Sequence, residues 1–194
     1  MDLNIRGYRY KLFPFTDVKM DIDHNYMDTR DRLLYSLMQC VVDYVEVENA
    51  MMYLFCFSDA KKELSLKDKI FYYLPLPFRS AKLGMKYLEE EIKTDDVNDF
   101  QRIRAEVTLE VYKWWKLIRP YRQDPYTAFD EPLVTPIINK VNLDLPFTEV
   151  SYTEEESKLL NEHYSKINEL ETKYDKEDNE MMHKIINIRL SMWV

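Results

Sequence analysis

The order of apolar and polar residues predicts a protein built mainly of helices. From Asp28 to Phe57, the residues Leu33, Leu37, Cys40, Tyr44, Val47, Met51 and Leu54 alternate steps of four and three, the interval that lines one side of an α-helix. A second seam beside it, Leu34, Met38, Val41, Val45, Met52 and Phe55, widens the apolar face, so this helix is expected to be largely buried. Asp28 or Thr29 suits its N-cap. Glu48 stands at an apolar position of the second seam, whereas Asp43 and Glu46 fall on the polar side with Arg32, Ser36 and Gln39.

Residues 61–79 begin polar and turn aromatic, and Pro75 and Pro77 forbid a continuous helix there. Ser80 then caps a predicted helix to about Lys93, with Ala81, Gly84, Met85, Leu88 and Ile92 on one side and Gly84 permitting a close helix approach. A central helix follows, with Phe100, Ile103, Val107, Val111, Trp114 and Ile118 as its expected buried stripe and Trp115 extending it sideways. Glu106, Glu110 and Lys113 share the opposite, solvated face. Pro120 is expected to end this helix by forcing Arg119 out of helical geometry.

Residues 120–152 carry Pro120, Pro125, Pro132, Pro136 and Pro146 and almost no helical period, which reads as a long irregular arm. Within it Val141, Leu143, Leu145 and Phe147 alternate as in a short edge strand, suited to pair with the alternating stretch 3–15 of an extended N-terminal arm, 1–27. Thr153 and Glu156 form a capping box that opens a last helix, either unbroken or bent near 175–180. Its stripe is Leu160, Tyr164, Ile167, Leu170, Tyr174, Met181, Ile185, Ile188 and Met192. The expected architecture is therefore all-α, a mainly helical bundle in a single domain spanning 1–194, with the Pro-rich arm and at most one short two-stranded β element.

Composition sharpens this picture mostly by exclusion. Glycine occurs only at Gly7 and Gly84, against a usual share of about 7%. No phosphate-cradling loop, dinucleotide fingerprint or nucleophile elbow can be written with two isolated glycines. A net charge of −8 opposes binding to nucleic acid through a general basic field. The acidity is uneven, with ten acidic residues against four lysines over 154–180, and Arg6, Arg9 and Lys11 against Asp2 at the start. Cys40 and Cys56 share one predicted helix, roughly 24 Å apart at the helical rise, too far for a disulfide. With no signal sequence and no bilayer-length apolar run, the expectation is a soluble, cytoplasmic protein that uses no membrane.

The most informative candidate site is the corner Trp114, Trp115, Arg119, Arg122, Asp124 and Tyr126. Arg119 lies one helical turn beyond Trp115 and can stack on its ring, while Asp124 is placed to hold Arg122 as a bidentate pair. Such a corner recognises a planar or anionic ligand or anchors a protein partner; the plain alternative is a helix terminus closed by arginine. A second set, Glu48, Glu89, Glu90, Glu91, Asp95, Glu106 and Glu110, has the oxygens for a Mg²⁺ or Mn²⁺ cage, but the paired acidic spacing of helical nucleotide pyrophosphohydrolases is missing, and a solvated face explains it better. Glu180 and His183 make a single E-x-x-H step on the polar face, His163 reads as a hydrogen-bonded core histidine, and His24 lies in an uninterpretable loop. Neither cysteine has a histidine near it in sequence, and apolar neighbours keep both thiols neutral. The aromatic edge Phe71, Tyr72, Tyr73 and Phe78 lacks the basic residues of a base-stacking platform, and core or partner packing explains it better.

Four blocks carry a family resemblance: DRLLYSLMQCVVDYVEVENAMM, FRSAKLGMKYLEEEI, LEVYKWWKLIRPYRQDPY and EDNEMMHKIINIRLSMWV. In order and spacing they resemble an uncharacterised conserved family encoded by tailed bacteriophages, over most of 30–194, with WW followed by RPxRxDPY as the most distinctive part. The resemblance implies a viral origin and expression inside a bacterial cell, and it supplies no catalytic residues. The expected function is non-catalytic binding of a host or virion protein, or of a second copy, without cofactor or metal. The alternatives are a Mg²⁺-dependent nucleotide hydrolase and a protein that sequesters a small, nucleotide-like molecule.

Overall fold

The computed structural model describes residues 29–57, 59–64, 66, 69–70, 78–94, 98–129, 132–139 and 151–191. The expected N-terminal arm, both expected strands, His24, Asp95 and the aromatic residues 71–73 lie outside them. Every regular element among the described residues is helical, so the fold is all-α. None of these helices is long and apolar enough to cross a membrane. The described residues fall into two compact units, one within Met1–Pro120 and Met181–Val194, the other within Tyr121–Glu180.

In the first unit, α1 (Thr29–Asp43) runs through a π-helical turn, Tyr44–Asn49, directly into α2 (Ala50–Cys56). That wide turn changes which side is buried. Up to it Leu34, Met38, Val41 and Val45 are in the core, and regular spacing would next bury Glu48, Met52 and Phe55. Instead Asn49, Ala50, Tyr53 and Leu54 turn inward, about one position later, and Phe55 is 71% exposed. One extra residue in a helical turn advances the phase by roughly 100°. The shift takes the Glu48 carboxylate off the apolar seam that regular spacing assigned it. Leu33 and both cysteines are also exposed, contrary to the reading that placed them among apolar neighbours.

α3 (Ala81–Lys93) starts at Ser80, whose hydroxyl accepts the Leu83 N–H at 3.3 Å, as its sequence position predicts. It packs on the wide turn through Gly84, where a Cβ would strike the Val45 carbonyl oxygen and lie 2.7 Å from its carbon. The close approach expected of this glycine is thus made against backbone. It is reinforced where the Ser80 N–H donates to the Glu46 carbonyl at 2.8 Å.

α4 (Asp99–Lys113) is capped by Asn98, which accepts the Phe100 N–H at 3.0 Å. Its buried side is Arg104, Ala105, Thr108, Leu109, Val111 and Tyr112, while Phe100 and Ile103 are exposed. Val111 and Trp114 of the expected stripe are buried, but the buried side is rotated to take in Arg104 and Thr108, polar residues that an apolar count leaves out. A second π turn, Trp114–Ile118, and a 3-10 turn, Arg119–Tyr121, continue the helix past Pro120. Arg119 keeps helical angles, φ −57° and ψ −42°, contrary to expectation, and its N–H bonds back to the Trp114 carbonyl, five residues earlier. The widened turn makes room for a proline ring that would otherwise press on the preceding turn.

The supposedly irregular arm contains two short helices, α5 (Pro125–Ala128) and α6 (Thr135–Ile138). α7 (Glu154–Ile188) is one unbroken helix opened by the expected capping box: Thr153 N–H to Glu156 Oε2 at 3.0 Å and Glu156 N–H to Thr153 Oγ1 at 3.2 Å. Its stretch 154–180 belongs to the second unit, where Val134, Ile137, His163 and Ile167 are buried. Its end joins the first unit's core, in which Ile185 and Ile188 pack with Met38, Val45, Leu88, Val111 and Trp114. Tyr53, Leu54, Leu64, Phe78 and Leu83 belong to a smaller cluster, so Phe78 packs in the core.

Candidate functional site

The π turn at the end of α4 gives adjacent tryptophans different tasks. Trp114 is turned into the core, whereas Trp115 is partly buried and meets Tyr35 of α1 edge to face, with centroids 5.0 Å apart and planes at 81°. One turn on, the Arg119 guanidinium lies 4.8 Å from the Trp115 ring centre and 5.1 Å from that of Tyr35. Arg119 Nη1 also donates to the Tyr35 hydroxyl at 3.2 Å. The predicted stacking of Arg119 on Trp115 is therefore present, with Tyr35 as a member that sequence reasoning missed. Two aromatic partners and a hydrogen bond hold the guanidinium in place, each cation–π contact contributing about 0.5–2 kcal/mol. Leu117 and Ile118, between these residues in sequence, are 61% and 57% exposed.

A polar network adjoins this stack, and it too was missed. The Tyr112 hydroxyl donates to Glu46 Oε1 at 2.9 Å, Lys116 Nζ meets the same oxygen at 3.2 Å, and Arg79 Nε reaches Oε2 at 3.2 Å. Arg79 Nη2 also pairs with Asp43 at 2.7 Å, and Gln39 donates to Asp43 at 3.0 Å. Tyr35, Gln39 and Asp43 on α1 and Glu46 in the π turn that follows recur at four-four-three spacing, the interval of a helical face. That spacing was the available signal, hidden because mixed polar residues were taken for a solvated face.

A second buried network sits where α3 meets α4. Arg104 Nη2 bonds Glu91 Oε1 at 2.6 Å, with the side chains 9% and 14% exposed. Burial, and then the charge of Glu91, push the Tyr87 phenol up to about 12. Burial also raises Tyr44, and burial with the charge of Glu46 raises Tyr112. Below about pH 9 these phenols are protonated whether the chain is folded or not, so they add no pH dependence. Above it the unfolded phenols ionise while the folded ones hold their protons, and stability falls as pH climbs through about 12 for Tyr87. Urea titrations at pH 9, 10 and 11 are expected to show a progressive loss that Tyr87→Phe makes shallower.

Arg122, Asp124 and Tyr126 fall in the second unit. Arg122 does not pair with Asp124: Nη1 bonds Asp178 at 2.6 Å, Nη2 bonds Glu177 at 2.9 Å, and the guanidinium lies 4.6 Å from the Tyr174 ring centre. Asp124 instead caps α5, accepting the Tyr126 N–H at 2.9 Å, because Pro125 at the first helical position favours an acidic cap before it. Tyr126 is exposed. With its side chain only 12% exposed, Arg122 is a clamp that ties the segment after Pro120 to α7. Arg122→Ala is expected to cost the second unit about 2 kcal/mol, since charged hydrogen bonds are lost and two carboxylates are left side by side. Faster proteolytic cleavage within 121–139 is the readout.

Four of the acids considered for a metal cage are dispersed on cations. Glu89 faces Lys113 at 3.7 Å, Glu90 faces Lys93 at 3.2 Å, Glu91 holds Arg104, and Glu110 meets Lys184 at 2.7 Å. No cluster of three His, Cys, Asp or Glu able to hold a metal occurs among the described residues. Glu180 and His183 are exposed as expected. His163 is buried against the edge of Tyr164, and its Nδ1 has no hydrogen-bond partner among the described residues, unlike the satisfied histidine expected there. Cys40 is exposed as a residue, but partial desolvation by the surrounding helix and then the nearby Asp43 carboxylate push its thiol up, away from nucleophilic use.

No family model matches the chain, and no curated protein or solved structure matches it either.

Proposed function

We propose that this chain is a non-catalytic binding protein that engages a protein partner through the end of α4. The observation that carries the reading is the Tyr35, Trp115 and Arg119 stack, held in one arrangement beside exposed Leu117 and Ile118. Trp, Tyr and Arg supply most of the energy at protein interfaces, and a side chain already fixed before binding loses little entropy on contact. Tyr126 offers an exposed aromatic in the second unit, whereas Arg122 and Asp124 serve that unit's own structure. The four sequence blocks support a phage origin, hence action in the bacterial cytoplasm on a host or virion protein.

Affinity capture from bacterial lysate, with and without infection, tests the reading. The full chain is expected to retain a discrete protein that Trp115→Ala and Leu117→Ser lose while their helical circular dichroism is unchanged. Identical capture by all three proteins would count against it, and a concentration-dependent rise in sedimentation coefficient would point to a second copy as the partner.

A further inference from the structure

Between Glu110 and Asp124 the sequence has no acidic residue, yet it holds Lys113, Lys116, Arg119 and Arg122 in a chain of net charge −8. At the end of α4 the structure layers these charges. Asp43 and Glu46 are only 10% and 14% exposed, while the cations they meet, Arg79 and Lys116, are each 42% exposed. The anions lie beneath and the cations outside. Arg119 is stacked on the Trp115 ring, and Leu117 and Ile118 stand exposed on the same turn. The result is an aliphatic ridge bordered by positive charge.

We propose that this ridge receives an acidic amphipathic segment of a partner protein, with aliphatic side chains on Leu117 and Ile118 and carboxylates directed to Lys116, Arg119 and Arg79. The proposal rests on the reading of the α4 end as a protein-binding face and adds the chemistry of what binds there. The planar guanidinium fork matches a carboxylate, and opposite charge around an apolar centre steers association and fixes register. Nucleic acid fits less well: a phosphate backbone offers charge but no aliphatic surface to cover Leu117 and Ile118.

Panning a random peptide library against the immobilised full chain tests this, followed by anisotropy titrations of the recovered peptides. The expected peptides combine Asp or Glu with Leu or Ile and bind about tenfold more weakly to Lys116→Glu and to Leu117→Ser. They also weaken when salt is raised from about 50 to 300 mM. Leu117→Ser changes an exposed side chain, and circular dichroism of each variant separates lost binding from lost fold. Neutral or basic peptides that still depend on Leu117 would overturn the acidic partner and leave the binding face standing. Peptides indifferent to every variant, or no recovered peptides, would overturn both. A single-stranded oligonucleotide binding more tightly than any recovered peptide would also overturn the proposal.

Discussion

Gly84→Ala is expected to destabilise the first unit by about 3 kcal/mol, at the upper end of what overpacking costs. On an exposed helix the same change would help by about 1 kcal/mol, because alanine is the better helix former. Here the added methyl meets the Val45 carbonyl, with its carbon at 2.7 Å and Val45 Cγ1 at 3.1 Å. No rotamer relieves a clash with another helix's backbone, so α3 must move off the wide turn. That movement strains the Ser80 to Glu46 backbone bond and the packing of Leu83 and Leu88. Urea denaturation of Gly84→Ala beside Lys82→Ala, an exposed position on the same helix, is the comparison to make. A Gly84→Ala protein as stable as the parent would show that the helices do not approach this closely.

Glu91→Ala should cost a similar amount, about 3 kcal/mol, for a different reason. Arg104 then loses its carboxylate in a setting where side-chain exposure is only 9%, and a buried charge stripped of its counter-charge is far costlier than the pair is favourable. The double replacement Glu91→Leu with Arg104→Met removes both charges and is expected to recover most of the loss. The Tyr87 phenol supplies an independent readout: without the Glu91 charge it should titrate below its present value of about 12. Additive single and double variants would mean the two side chains are not coupled.

The helical period in the sequence was enough to place α1, α3, α4 and α7, and side-chain caps located the starts of α3 and α7, with Ser80 and the Thr153 and Glu156 box both observed. The period was not enough to say which side is buried after residue 44. A π turn leaves no apolar signature of its own, yet it shifts every later position, and this is why Glu48 and Phe55 were assigned to the wrong face. Arg104 shows the other limit. An arginine scores as solvent-facing until its carboxylate on another helix is known, and Glu91 is thirteen residues away across a turn. Of the corner, the Trp115 and Arg119 stack was legible because both lie on one helix. The actual partners of Arg122, Glu177 and Asp178, lie more than fifty residues further along.

The most direct measurement places a photo-activatable cross-linker at position 118 of the full chain, with position 106 on another exposed part of α4 as control. Irradiation in bacterial cells is expected to give one discrete cross-linked product from position 118, with the partner joined through an acidic segment, and none from position 106. Equal products from both positions, or none from position 118 under conditions where the chain is folded, would contradict a protein-binding face at the end of α4.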